Sequence, residues 1–115
     1  MQTEIRSHHV ALTDSFRRQI EARLRTAFDR FAHNVERISV RFADVNGPRG
    51  GVDKRCQVAL ELRPGGHVRV EADADGVEAA MSEAVARAST ALARHQRRMG
   101  RPSRLPPGFE FGPAT

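Results

Sequence analysis

The sequence predicts an α+β domain with the element order β-α-β-β-β-α, in which two helices cover one face of a four-stranded mixed sheet. Two segments carry apolar residues at helical spacing, and three segments alternate between apolar and polar residues with short turn-forming loops between them. The strand–helix–strand start implies a parallel first pair with a right-handed crossover. Because both helices have an apolar stripe that one sheet face can cover, we predict a two-layer sandwich.

The first helix is expected to begin after Thr13, whose hydroxyl can cap the first turn, with Asp14 at the helix end that favours an anion. A short extended segment over 2–7 precedes it, and His33-Asn34 is the expected stop. The apolar stripe of this helix consists of Phe16, Ile20, Leu24, Ala27, Phe28 and Phe31.

Three segments, 36–44, 54–63 and 67–73, alternate in the manner of half-buried strands. A glycine-rich loop at 46–51 and a tight connection at 64–66 join them, so they predict an antiparallel meander with one solvent-exposed face. The expected inward residues are Ile38, Val40, Phe42, Cys56, Val58, Leu60, Leu62, Val68 and Val70.

The second helix is expected over 77–99, with Gly100 as its C-cap and Pro102 unable to continue it. Residues 101–115 contain four prolines and two glycines and predict a disordered tail, so the predicted domain is 1–100. The apolar stripe of the second helix consists of Val77, Ala80, Met81, Ala84, Val85, Ala88 and Leu92.

Size and composition favour one cytoplasmic domain. The 115 residues suffice for a single modest core, and no run approaches the ~20 apolar residues of a membrane-spanning helix. The first ten residues lack the apolar segment of a secretory signal. The single cysteine excludes an internal disulfide and fits a reducing compartment.

The surplus positive charge lies in the last third of the chain. Residues 1–83 carry 13 basic and 13 acidic side chains, whereas residues 84–115 carry six arginines and one acid, Glu110. Eighteen of the 19 cations are arginine, a preference that coding bias alone could produce, but such bias would not empty residues 84–109 of acids. This segregation predicts a polyanionic partner, most commonly nucleic acid.

Four arginines, Arg87, Arg94, Arg98 and Arg101, are separated by 7, 4 and 3 residues. At about 100° per residue they project along nearly one line of the second helix, beside its apolar stripe. Guanidinium groups can fork onto phosphate oxygens. Since the chain has no Trp or Tyr to stack on bases, we expect contacts to the backbone and shape of structured RNA. The first helix could widen this patch with Arg17 and Arg23, and Arg49, Lys54 and Arg55 could add a secondary contact.

No set of residues indicates catalysis. Cys56 has the position of a small core side chain rather than a nucleophile. The loop that precedes Lys54 fails the pattern of a phosphate-binding P-loop, because no glycine directly precedes Lys54, no Ser or Thr follows it, and a strand rather than a helix comes next. We expect no metal, because no metal-binding spacing occurs among His8, His9, His33, His67 and His95. Since no catalytic set is present either, we expect no cofactor and no small-molecule substrate.

Two segments give the chain a resemblance to a known family. The first is Met1-Gln2 and Val10-Ala11-Leu12-Thr13, leading into a helix with Arg17, Arg23 and Phe31. The second is Val77-Glu78-Ala79-Ala80-Met81, continuing through Arg87, Leu92, Arg94 and His95. In this order the chain resembles, over about residues 1–99, the short ribosome hibernation-promoting factors, also called ribosome-associated inhibitors or ribosomal-subunit-interface proteins.

The resemblance implies binding to ribosomal RNA in the decoding region of the small subunit, where messenger and transfer RNA are blocked and idle ribosomes are silenced. It also implies a monomer off the ribosome. The chain departs from the family pattern at the start of the second helix. Gly76 and Glu78 stand there, where the family often has an Asp and an aromatic residue. The full set of expected RNA-binding residues is Arg17, Arg23, Arg87, Arg94, His95, Arg97, Arg98 and Arg101.

Two other classes of function stay open at this point. The basic helical face could belong to a protein-interaction module that binds an acidic protein regulator. An enzyme that uses Cys56 or His95 is the third hypothesis.

Overall fold

The computed structural model describes residues 2–45 and 53–100. The predicted loop at 46–51 and tail at 101–115 lie outside these residues, as do Arg49 and Arg101. The elements in chain order are β1 (Gln2–His8), α1 (Asp14–Phe28), β2 (Val35–Asp44), β3 (Lys54–Leu62), β4 (His67–Ala74) and α2 (Val77–Gly100).

The four strands form one sheet in the order β1-β2-β3-β4. β1 is parallel to β2, and β3 is antiparallel to both of its neighbours. The predicted α+β architecture is therefore confirmed. Since β1, β2 and β4 run in one direction and each helix returns against it, α1 and α2 run parallel to each other.

The first helix begins as predicted and ends earlier. The Thr13 hydroxyl accepts a hydrogen bond of 3.0 Å from the Phe16 N–H and caps α1. The helix ends at Phe28, and Asp29–Phe31 form a 3-10 turn. This tighter turn keeps Phe31 packed against the core while the chain reverses toward β2, so the apolar spacing continues beyond the end of α1.

The core lies between the sheet and the helices. α2 packs on β3 and β4, and the Phe16 ring of α1 lies 5.9 Å from the Phe42 ring of β2. All of the expected inward strand residues are buried except Val70, which is half-buried.

No helix in residues 2–45 and 53–100 is long and apolar enough to cross a membrane.

Two main-chain hydrogen bonds determine which strand groups point out of the sheet. The Val45 N–H donates to the Asp53 C=O at 2.8 Å, and the Leu62 N–H donates to the Gly66 C=O at 2.9 Å. Hydrogen-bonded pairs alternate along antiparallel strands. With the observed register, odd-numbered residues of β3 bond to β2 and even-numbered ones bond to β4. The odd-numbered residues of β4 and of β1 therefore direct their N–H and C=O groups toward the outer edges.

Candidate nucleic-acid interface

Two of the predicted arginines lie at opposite edges of the sheet. Arg17 Nη1 donates to the Ile5 carbonyl of β1 at 3.3 Å, and Arg87 Nη1 donates to the Glu71 carbonyl of β4 at 2.6 Å. Because β1 and β4 are the outermost strands, three strand spacings, or about 14 Å, separate these contacts. Arg17 therefore does not join the arginine line of α2.

Arg87 is also engaged by acidic neighbours. Its Nη2 donates to the Glu83 carboxylate one helical turn earlier. The pKa of Asp73 is lowered mainly by its hydrogen bond with Arg55, and the positive charge of Arg87 lowers it further. An exposed ion pair of this kind contributes about 0.3–0.5 kcal/mol in a helix. Sequence reasoning missed this pair, although the spacing of four residues between Glu83 and Arg87 is a recognisable indication of it.

Arg23 lies on the other flank of α1. Six residues separate it from Arg17, which corresponds to about 120° around a helix with 100° per residue. Since Arg17 reaches the outer edge at β1, this rotation places Arg23 on the side of α1 that faces α2. Its side chain is exposed.

The last turns of α2 carry exposed positive charge. Arg94, Arg97 and Arg98, here called the terminal cluster, are all exposed, and the fully buried stripe of α2 ends before them at Leu92. Residues 84–98 contain no acid. With the residues that the structure describes, neither Arg94 nor Arg98 forms a salt bridge. These two guanidinium groups are therefore available to an external anion. Arg97 and Arg98 lie in the last turn, where positive charge also complements the helix dipole.

His95 has a packing role. Its Cε1 lies 3.3 Å from the position that a Cβ on Gly66 would occupy. Gly66 has φ +94°, a conformation that suits glycine, and it lies in the turn between β3 and β4. The half-buried His95 ring therefore packs close to this turn, which places the terminal cluster near the β3–β4 end of the sheet.

The predicted secondary contacts are held within the domain. Lys54 Nζ lies 3.0 Å from Asp53 Oδ1 and 3.6 Å from Asp44 Oδ2, and the hydrogen bond with Asp53 raises the pKa of Lys54. Arg55 Nε donates to Asp73 Oδ1 at 2.8 Å. These pairs occupy the charges that were expected to reach phosphate, so we place both residues outside the proposed interface.

The open face of the sheet has a shallow depression of about 460 Å³ with Ser39 and Ala59 in its lining. Basic and acidic side chains alternate around it, so it has no single sign of charge. No group of three or more metal-binding side chains occurs in the described part of the chain. The lining residues are Glu4, Arg6, Ser39, Val40, Arg41, Gln57, Ala59, Leu60, Glu61, His67, Val68 and Arg69.

Cys56 is fully buried, and burial raises its pKa to about 12 from an ordinary value of 9.0. The unfolded thiol ionises first as the pH rises, so this contribution to stability is present below pH 9.0 and is lost as the pH approaches about 12. With no Tyr and a single Lys, few other groups titrate there. We expect the free energy of unfolding, measured with urea, to fall above pH 9.0, and the fall to begin later in Cys56→Ala.

Thiol alkylation at neutral pH gives an independent check of the same burial. Native protein should resist iodoacetamide, whereas urea-unfolded protein should react fully. Native alkylation at the unfolded rate would contradict the buried position of Cys56 and would favour a reactive thiol.

The fold and the site together define a small α+β domain whose last helix ends in exposed arginines. The chain belongs to the Sigma 54 modulation protein / S30EA ribosomal protein family, whose model matches residues 3–100. The predicted family resemblance is thus confirmed, and membership indicates a ribosome-associated protein.

Several solved protein structures share the fold. The N-terminal domain of Protein Y from Thermus thermophilus is 27% identical with a TM-score of 0.65, and the match covers 80% of this chain and 94% of that one. A ribosomal subunit interface protein from Coxiella burnetii is 17% identical with a TM-score of 0.71, covering 84% and 98% of the two chains. No curated protein sequence matches the chain.

Proposed function

We propose that this chain is a non-enzymatic, cytoplasmic translation regulator that binds ribosomal RNA of the small subunit. It occupies the decoding region, blocks messenger and transfer RNA, and silences idle ribosomes. The observation that carries this proposal is the acid-free end of α2, where Arg94 and Arg98 are exposed, in a member of a ribosomal protein family. Residues 1–100 form the binding unit, and the protein is a monomer off the ribosome.

The terminal cluster makes the primary contact in this proposal. Guanidinium groups at the end of a helix reach phosphate oxygens with two parallel hydrogen bonds, and each phosphate that they neutralise releases counterions. His95 packs close to the β3–β4 turn, and a helix end held there would lose little conformational entropy on binding RNA. Arg23 extends the surface along the side of α1 that faces α2. Arg17 and Arg87 contribute less, because their donors already serve the sheet edges.

Co-sedimentation with purified small ribosomal subunits tests the proposal. The protein should travel with the subunits at about 50 mM salt and dissociate progressively by about 200 mM, as expected for binding through several phosphates. Its absence from the subunits at low salt would overturn the proposal. Competition with messenger or transfer RNA then tests the decoding region in particular, because binding there must be mutually exclusive.

A second candidate has one observation in its favour. The family description also names sigma 54 modulation, which suits an interaction module that binds an acidic protein regulator. Treatment of the isolated complex with RNase distinguishes the two. Loss of the complex supports RNA as the partner, and survival of the complex supports a protein.

A further inference from the structure

The outer edge of β4 has main-chain groups that no other described strand pairs with, and of these the Glu71 carbonyl accepts a hydrogen bond from Arg87. Within the described residues β4 pairs only with β3. The alternation of hydrogen bonds directs the N–H and C=O groups of four residues outward, away from β3. Edges of this kind are templates for the addition of another strand. These residues are His67, Arg69, Glu71 and Asp73.

We propose that this edge is a docking surface for a second copy of this chain, which adds its own β4 in antiparallel fashion. Arg87 holds the edge closed, so the chain stays a monomer until Arg87 withdraws. The two-fold axis passes through Val70. In this register Arg69 of one copy lies opposite Glu71 of the other, and His67 lies opposite Asp73. The outward-pointing groups then form the hydrogen-bonded pairs.

Charge complementarity favours this register over the two registers in which the axis is shifted by one residue. All four residues lie on the open face of the sheet, and the axis at Val70 places each basic side chain opposite an acidic one. Within each copy Asp73 already accepts from Arg55 and Glu71 from Gln57, and the carboxylate oxygens have further acceptor sites for the partner's side chains. Moving the axis by one residue would place Arg69 opposite Arg69 or Glu71 opposite Glu71, and like charges directly across a strand pair are destabilising. On the inner face, the half-buried Val70 meets its own copy. The β4 edge is therefore complementary to a second copy of itself, both in its pattern of main-chain hydrogen bonds and in the order of its charged side chains.

Arg87 occupies a hydrogen-bond acceptor that the second strand needs. In the proposed register, the Arg69 N–H of the second copy donates to the Glu71 carbonyl. That carbonyl accepts from Arg87 Nη1 at 2.6 Å, and Glu83 holds the same guanidinium in place. Docking requires Arg87 to withdraw from both copies. Arg17 acts in the same way on the Ile5 carbonyl at the β1 edge.

The first test compares Arg87→Ala with Arg94→Ala by sedimentation equilibrium. The control removes the same charge from an exposed position of the same helix, seven residues further on. We expect the dimer dissociation constant of Arg87→Ala to be at least tenfold lower than those of wild type and of the control. Equal dissociation constants, or higher oligomers without a dimer, would overturn the proposal. Circular dichroism verifies that each variant is folded.

The second test examines the register in the Arg87→Ala background. Arg69→Glu should dissociate the dimer, because it places two acids opposite each other, and adding Glu71→Arg should restore it. The amides of Arg69 and Glu71 should become protected from hydrogen exchange in the dimer, since they point out of the monomer's sheet. A dimer that is insensitive to the charge swap, or one without this protection, would contradict pairing through β4.

Discussion

Reversal of Arg94 and Arg98 to glutamate is expected to weaken binding to small ribosomal subunits by roughly 100-fold or more, because each reversal removes a charged hydrogen bond of about 1.5–3 kcal/mol. The slope of log affinity against log salt should become less steep by about 1.4 to 1.8, which corresponds to two lost phosphate contacts. Both side chains are exposed and form no salt bridge with a described residue, so the fold should persist. Filter binding across a salt series measures both quantities.

The matched control is Arg6→Glu with Arg41→Glu. It changes the net charge by the same amount on the open face of the sheet, away from the terminal cluster. If binding depends on the terminal cluster, this control should retain most of the affinity and most of the salt slope. Equal losses in the two double variants would show that binding responds to overall charge and not to the end of α2.

Replacement of Phe42 by alanine is expected to lower the free energy of unfolding by about 3–5 kcal/mol. Phe42 is fully buried in β2, and its ring lies 5.9 Å from that of Phe16, so truncation leaves a cavity between the sheet and α1. Small domains are stable by about 5–15 kcal/mol, so this loss is a large fraction of the total. Urea denaturation followed by circular dichroism measures it.

Val45→Ala is the matched comparison for Phe42→Ala. Val45 is 41% exposed and lies just beyond the end of β2, so its truncation should change the stability by less than about 0.5 kcal/mol. A cost below about 1 kcal/mol for Phe42→Ala would mean that the β2–α1 contact is not part of the core.

The sequence was sufficient for the fold because local patterns and tertiary packing agree. Alternation located the strands, Thr13 located the start of α1, and the strand–helix–strand order implied the parallel pair. The end of α1 was the exception. Phe31 continues the apolar spacing of the helix, and only the path of the chain into β2 shows that a 3-10 turn carries it.

The site was less accessible to sequence reasoning, for two different reasons. The separation of Arg17 from Arg23 follows from helical spacing and was predictable. The contact of Arg87 with the Glu71 carbonyl was not, because it depends on which β4 groups point outward, and that depends on hydrogen bonds in the β3–β4 turn. An arginine on the line predicted for RNA binding can thus be bound to the sheet, and only the three-dimensional arrangement distinguishes it from Arg94.

A cryo-EM reconstruction of this protein on the small ribosomal subunit tests the central proposal most directly. We expect the domain in the decoding region, with Arg94 and Arg98 within hydrogen-bonding distance of ribosomal RNA phosphates. A domain bound elsewhere, or one that faces the RNA with its open sheet while the end of α2 points into solvent, would contradict it.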